Sequence, residues 1–228
     1  MNSILILLLL ILTSAFPAII LFFWSRRKTS VRVSLPWFLA SLAAGIISLL
    51  IAALIQSFFP SPGSIDGLVP LFFAVFIRIA FIEETSRLIT LYPFLKAITL
   101  RRRRDISLAA ALGLAAGLGF AAAENAFYGM SDINITLLRI FTAAPLHGAC
   151  GIRAGAAVFE FRRQPVRAVF LFLSAVIIHG AYNLIIVSPA VPAALAIPAA
   201  LAALFISLPL LKAAGTDDEN TLFSSPKA

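Results

Sequence analysis

The feature that most constrains this chain is a series of about seven apolar stretches, each about as long as a lipid-spanning helix. We place them at roughly 3–24, 35–59, 68–95, 106–128, 135–159, 166–187 and 192–211. Hydrophobic residues make up 61% of the 228 positions and charged residues 12%, which excludes an ordinary water-soluble domain. Because the apolar runs are continuous rather than alternating, they predict an all-α, polytopic transmembrane helical bundle and not a β-barrel.

The net charge of +8 comes mainly from basic residues at the predicted helix ends, which argues against nucleic acid as a partner. Alternate connections carry this charge, and the positive-inside rule then places the N-terminus outside and the C-terminus in the cytoplasm. We expect one integral membrane domain over 1–214 and a disordered cytoplasmic tail over 215–228. The basic connections contain Arg26, Arg27, Lys28 and Arg32, then Lys96 and Arg101 to Arg104, then Arg162, Arg163 and Arg167.

Ionisable residues inside the predicted spans need an explanation, because each costs about 2.5–3.5 kcal/mol near the bilayer centre. On the third span, Glu83 and Glu84 are followed one turn later by Arg87, on the same helix face. One carboxylate can pair with the arginine while the other stays free to act as a general base. The alternative is a Glu/Arg pair that only holds helices together, but a second glutamate adds cost without helping such a pair.

The fourth span carries Glu124, Asn125 and Tyr128 near one end. Arg139 on the next span is predicted at a similar depth, so Glu124 can be a structural partner of Arg139, a site residue, or both. A ridge of small residues upstream predicts close helix packing. This ridge consists of Gly113, Gly117 and Gly119.

Both histidines of the chain, His147 and His179, lie within predicted spans. His179 and Asn183 are one turn apart and could present two hydrogen-bond donors to a developing oxyanion. A histidine in a membrane helix can also serve only as a link between helices. Cys150 is interpreted as a small packing residue, since a catalytic thiolate needs an accessible, electropositive setting.

Four segments together resemble the PrsW family, which belongs to the superfamily of CAAX prenyl endopeptidases and bacteriocin-processing proteins. The resemblance covers about 68–187, which would be a four-helix catalytic core. The segments are EETSR at 83–87, GLGFAAAENAFY at 117–128, the stretch from Arg139 to His147, and HGAYN at 179–183.

The resemblance implies an intramembrane or membrane-adjacent endopeptidase that uses glutamate-activated water. It implies site-1 cleavage of single-pass membrane proteins such as anti-sigma factors, in a bacterial cytoplasmic membrane. One glutamate of the Glu83–Glu84 pair would activate the water. The implied catalytic residues are Glu83, Glu84, Glu124, His147, His179 and Asn183, and the supporting residues are Arg87, Asn125, Tyr128 and Arg139.

The preferred mechanism requires no cofactor, but a zinc ion held by His147, His179 and a glutamate such as Glu124 is an alternative. Two other classes of function stay open. Buried carboxylates and histidines can form the relay of a proton- or ion-coupled carrier, and the chain can be a non-catalytic scaffold of the same superfamily. The sequence predicts neither the substrate nor the oligomeric state.

Overall fold

The structure, a computed structural model, describes residues 33–60, 67–99, 106–188 and 191–212, together with Ile65 and positions 10, 12–17, 19, 20 and 23. All regular elements in these ranges are helical, which confirms the predicted all-α fold. We number the α-helices in chain order. They are α1 (Leu35–Gln56), α2 (Leu68–Phe73), α3 (Ile82–Thr99), α4 (Ile106–Gly129), α5 (Ile133–Phe141), α6 (Ala143–Glu160), α7 (Pro165–Val187) and α8 (Ala196–Ser207).

Four helical segments in the described part of the chain are long and apolar enough to cross a membrane. They are Leu35–Gln56, Ile106–Gly129, Pro165–Val187 and Ala193–Leu211, where the last combines α8 with short 3₁₀ turns at both ends. The protein is therefore an integral membrane protein. The predicted first span at 3–24 lies mostly outside the described residues, as do Arg26 to Arg32, Arg101 to Arg104 and the tail at 215–228.

The predicted third span is helical throughout from Leu68 to Thr99, but it is not a uniform α-helix. Ala74–Phe81 is a π-helix, inserted between α2 and α3 immediately before the two glutamates. π-Helical turns are rare and are often found next to functional sites. The charged side chains Arg78, Glu83, Glu84 and Arg87 all lie close together on this run, so it is much less apolar than its neighbours.

The predicted fifth span at 135–159 is broken rather than straight. Its two halves, Asn134–Phe141 and Ala143–Glu160, meet at an angle of 44°, and they give a fifth crossing if they form one span. Pro145 has no amide hydrogen to donate to the carbonyl of Phe141 four residues earlier, which explains a break at this point. Apolar length alone does not reveal this bend.

The predicted ridge of glycines is where α4 packs most closely against its neighbours. A Cβ atom added to Gly113 would lie 2.1 Å from the carbonyl oxygen of Gly151 on α6. On another side of α4, a Cβ on Gly119 would lie 2.2 Å from the carbonyl oxygen of Leu42 on α1. Since real Cβ atoms do not approach backbone so closely, these positions require glycine, and α4 becomes the buried centre of the bundle.

Candidate active site

Glu84 lies at the centre of a buried polar cluster, and each of its two carboxylate oxygens has a polar partner. One of its carboxylate oxygens, Oε2, accepts a hydrogen bond from Arg87 one turn later on α3. The other oxygen, Oε1, is 2.8 Å from Nδ1 of His179 on α7. Glu84, Arg87 and His179 are all buried. The arginine that the helical spacing pairs with this motif therefore binds Glu84, and Glu84 in turn orients the His179 ring.

Glu83 differs from Glu84 because one of its oxygens has no hydrogen-bond donor within the described residues. Its Oε1 atom accepts a hydrogen bond of 3.1 Å from Nε2 of Gln56 at the end of α1. Its Oε2 atom is buried and unbonded, at 3.4 Å from Nε2 of His179. The paired carboxylates thus divide into an engaged one, Glu84, and one with a free oxygen, Glu83.

His147 on α6 connects the glutamate pair to Glu124 on α4. Its Nε2 atom is 2.8 Å from Oε2 of Glu124, and its Nδ1 atom is 3.3 Å from a terminal nitrogen of Arg87. The His147 and His179 rings meet edge to face, with centroids 4.9 Å apart. Side chains from α3, α4, α6 and α7 consequently form one continuous network rather than separate helix-to-helix contacts.

Glu124 also pairs with Arg139, so both interpretations of Glu124 hold together. The Arg139 guanidinium is 2.5 Å from Oε2 of Glu124 and donates at 2.8 Å to the Oδ1 atom of Asn125. It also lies over the ring of Tyr128, 4.2 Å from the centroid. The Glu124 side chain is 17% exposed whereas that of Glu84 is fully buried, so this side of the network is nearest the protein surface.

Asn183 does not join the network as the sequence predicted, and Cys150, which was predicted to be a packing residue, forms no hydrogen bond to the network in the described part of the chain. Within the described part of the chain, Asn183 forms no hydrogen bond or ion pair, and its side chain is partly exposed. The two ring nitrogens of His179 face Glu84 and Glu83 instead of a point shared with Asn183. The Cys150 thiol is buried and contacts the carbonyl oxygen of Ala175 at 3.6 Å, as a packing residue would.

The structure also brings in residues that sequence reasoning did not assign to the site. Phe120 is buried between Arg87, whose guanidinium is 4.7 Å from the ring centroid, and His147, whose ring centroid is 4.8 Å away. Gln56 belongs to α1, which has no recognisable motif, and a lone glutamine at the end of an apolar helix is a weak signal. Arg78, which had no assigned role, donates to the carbonyl oxygen of Pro60.

The comparisons with known proteins decide the family. The family model described as PrsW family intramembrane metalloprotease matches residues 33–211, which is most of the chain and all of the network. The chain belongs to the PrsW family. Comparisons with curated proteins and with solved structures give no match.

Membership in the PrsW family makes the chain an intramembrane protease at the level of the family, and it favours a peptidase over a carrier. The family description uses the word metalloprotease, and the network contains side chains that fit a metal ion. Glu83, His147 and His179 offer potential ligand atoms that all lie within 4.8 Å of one another. A second group, Glu84 with Cys150 and His179, fits less well because Arg87 already binds Glu84.

The side chains of Glu83 and His179 are spaced as two ligands of one metal ion would be. Ligands at about 2.1 Å from a tetrahedral zinc are about 3.4 Å apart, and Oε2 of Glu83 is 3.4 Å from Nε2 of His179. Glu84 binds the other nitrogen of His179, as carboxylates commonly do for metal-binding histidines. His147 offers a nitrogen only if it gives up its contact with Arg87 or Glu124. The group of potential ligands contains Glu83, and not Glu124, beside the two histidines named from the sequence.

Proposed function

We propose that this PrsW-family protein is a membrane-embedded endopeptidase in which Glu83 activates the attacking water. The observation that carries the proposal is the buried Oε2 atom of Glu83, which has no donor among the described residues although Gln56 binds the other oxygen. An unengaged carboxylate oxygen inside a protein needs a donor or a cation. Glu84 is a poor candidate for the same role, because both of its oxygens are occupied.

The neighbouring histidine supports a water at this position. If His179 is neutral, its Nδ1–H group donates to Glu84 and its Nε2 atom is an acceptor. Two acceptors, Nε2 of His179 and Oε2 of Glu83, then face each other at 3.4 Å. A water that bridges the two atoms from one side can donate one hydrogen to each, and its oxygen is left free to attack a peptide carbonyl while Glu83 accepts the proton.

A divalent metal would be held by Glu83 and His179, with His147 as the third ligand, and would supply a Lewis acid for the attacking water and the peptide carbonyl. In that form Glu83 and His179 would fix the position of the metal, and Glu84 would hold the His179 ring in the required orientation. Glu83 is thus required in both forms, as the base that activates water in the metal-free form and as a ligand in the metal-dependent form.

We propose single-pass membrane proteins such as anti-sigma factors as substrates, cut in or beside the membrane. The burial of Glu83, Glu84, Arg87 and both histidines within apolar helices supports a substrate that enters from the lipid phase or its surface. We further propose a bacterial cytoplasmic membrane, with the N-terminus outside and the C-terminus inside. An epitope placed at each terminus, and tested for protease access in intact cells, checks this orientation.

The decisive experiment uses the full chain reconstituted in proteoliposomes with candidate single-pass substrates, and detects new peptide termini by mass spectrometry. Glu83→Gln keeps the shape of the side chain but removes the base, so we expect kcat to fall by about 10²–10⁴-fold. Glu160→Gln is the matched control, because Glu160 is also a buried glutamate in a membrane helix and pairs with Arg167 outside the network. We expect it to retain activity.

The same assay distinguishes the alternatives. Glu83→Gln with undiminished cleavage would refute the assignment of the base. A wild-type protein that folds, yet cleaves none of the single-pass proteins of its own membrane, would favour a non-catalytic scaffold. Loss of cleavage on treatment with a chelator, and its return on addition of Zn²⁺, would establish the metal-dependent form.

A further inference from the structure

Gln56 is a polar residue at the end of an otherwise apolar membrane helix, and its amide points into the catalytic network. It is the last residue of α1, and its Nε2 atom donates to Oε1 of Glu83 at 3.1 Å. The contact joins positions 27 residues apart, so it is a tertiary contact and not a feature of local helix geometry. A buried or partly buried polar group in a membrane helix is costly unless it has a partner, and Glu83 is that partner.

This hydrogen bond determines which oxygen of Glu83 is free. The terminal torsion of a glutamate is broad, so an unrestrained carboxylate readily exchanges its two oxygens and tilts its plane. Because Gln56 binds Oε1, the Oε2 atom is held on the side of His179. A catalytic carboxylate works best when such contacts fix its orientation before the substrate arrives.

The helix that carries Gln56 packs closely against α4 and contacts the π-helix. Gly45 of α1 is so close to α4 that an added Cβ would lie 1.9 Å from the carbonyl oxygen of Ala116. Just beyond Gln56, Arg78 of the π-helix donates to the carbonyl oxygen of Pro60 and lies over the ring of Phe59, 5.1 Å from its centroid. The end of α1 is therefore attached to the same helical run that carries Glu83.

We propose that Gln56 is a positioning residue of the active site, which acts by holding the Glu83 carboxylate in its reactive orientation. The inference rests on the proposed role of Glu83. It assigns a function to α1, whose sequence resembles a generic membrane span, and it gives Arg78 a supporting role as the residue that holds the α1 end in place.

The test replaces Gln56 with methionine, which has similar length and flexibility but no donor. With the single-pass substrate found in the reconstitution experiment, we expect Gln56→Met to lower kcat by about 10–100-fold, as for other outer-shell partners. KM should not change, because a positioning residue acts on the chemical step through Glu83 and not on substrate binding. Gln56→Ala is a second variant that lacks the side-chain amide donor. Ser57→Ala is the matched control, since the Ser57 hydroxyl binds the Leu54 carbonyl at the same helix end without reaching the network.

A second readout separates positioning from a general loss of structure. Binding of Co²⁺ alone to the purified protein, followed by its visible absorption, should weaken by about 10–100-fold in Gln56→Met if Glu83 is a ligand, while thermal unfolding stays near that of the wild type. Normal kcat in Gln56→Met and Gln56→Ala, with Glu83→Gln inactive, would overturn the inference and leave the proposed function intact. A fall in kcat matched by equal effects in Ser57→Ala would also overturn it. Undiminished cleavage by Glu83→Gln would refute the proposed role of Glu83, and the proposed role of Gln56 would be refuted with it.

Discussion

The close packing of α4 against α6 leads to a prediction about Gly117, which lies beside the catalytic network without being part of it. A Cβ atom at Gly117 would lie 2.0 Å from the carbonyl oxygen of His147, whereas real Cβ atoms essentially never come within 3.0 Å. In Gly117→Ala the two backbones must therefore separate by about 1 Å. The displaced segment carries His147, whose contacts with Glu124 and Arg87 are 2.8 and 3.3 Å long.

A misplacement of about 1 Å can cost a factor of about 10² in rate, so we expect kcat of Gly117→Ala to fall by that amount. The strain of overpacking should also destabilise the protein by about 1–3 kcal/mol. Reconstituted cleavage and thermal unfolding, measured on the same preparation, give both values.

Gly148→Ala is the matched control for this prediction. It adds the same methyl group next to His147, but the nearest atom is the flexible Leu114 side chain at 3.0 Å, which can move away. Gly148→Ala should therefore stay close to the wild type in kcat. If Gly117→Ala were as active as Gly148→Ala, the backbone contact would not control the position of His147, and the reasoning would be refuted.

Three further substitutions test individual contacts. Cys150→Ala should leave kcat unchanged, because the thiol is buried against a backbone carbonyl; a loss of cleavage would contradict the interpretation of Cys150 as a packing residue. Tyr182→Phe removes the hydrogen bond of 3.0 Å to Thr142 at the bend between α5 and α6, and should lower the free energy of unfolding by about 0.6 kcal/mol, the average for such bonds in a membrane protein. Arg139→Met leaves Glu124 without its guanidinium partner, and should cost about 1.5–3 kcal/mol in the same unfolding assay; an unchanged stability would show that this ion pair is not needed.

The membrane fold could be predicted from the sequence because the bilayer imposes one simple requirement, which is long apolar helices. The same reasoning located the ionisable residues of the network, since each one stands out within an apolar run. It did not find the bend at Thr142 or the π-helix before Glu83. The bend follows from the missing amide hydrogen of Pro145, which the hydropathy of the span does not register. The π-helix depends on the pattern of backbone hydrogen bonds, about which hydropathy carries no information.

Within the network, helical spacing predicted only the contacts between residues one turn apart on the same helix. The spacing of Glu84 and Arg87 places them one turn apart, and they do form an ion pair. The spacing of His179 and Asn183 suggested a shared target, yet His179 is engaged by the glutamates. The contact between Gln56 and Glu83 depends on how α1 crosses the bundle, which no local spacing describes.

The charges of the network give a reason to expect a proton or a cation at Glu83. Three carboxylates, those of Glu83, Glu84 and Glu124, meet two guanidinium groups, those of Arg87 and Arg139, so with neutral histidines the cluster carries one net negative charge. An uncompensated charge inside a membrane helix bundle is costly. Arg87 neutralises Glu84 and Arg139 neutralises Glu124 through direct contacts. The excess charge therefore falls on Glu83, the one carboxylate of the three without a guanidinium partner in the described part of the chain. A general base or a metal ligand requires a carboxylate that is not already neutralised by an arginine. If the residues only linked helices, every carboxylate would be expected to have a cationic partner.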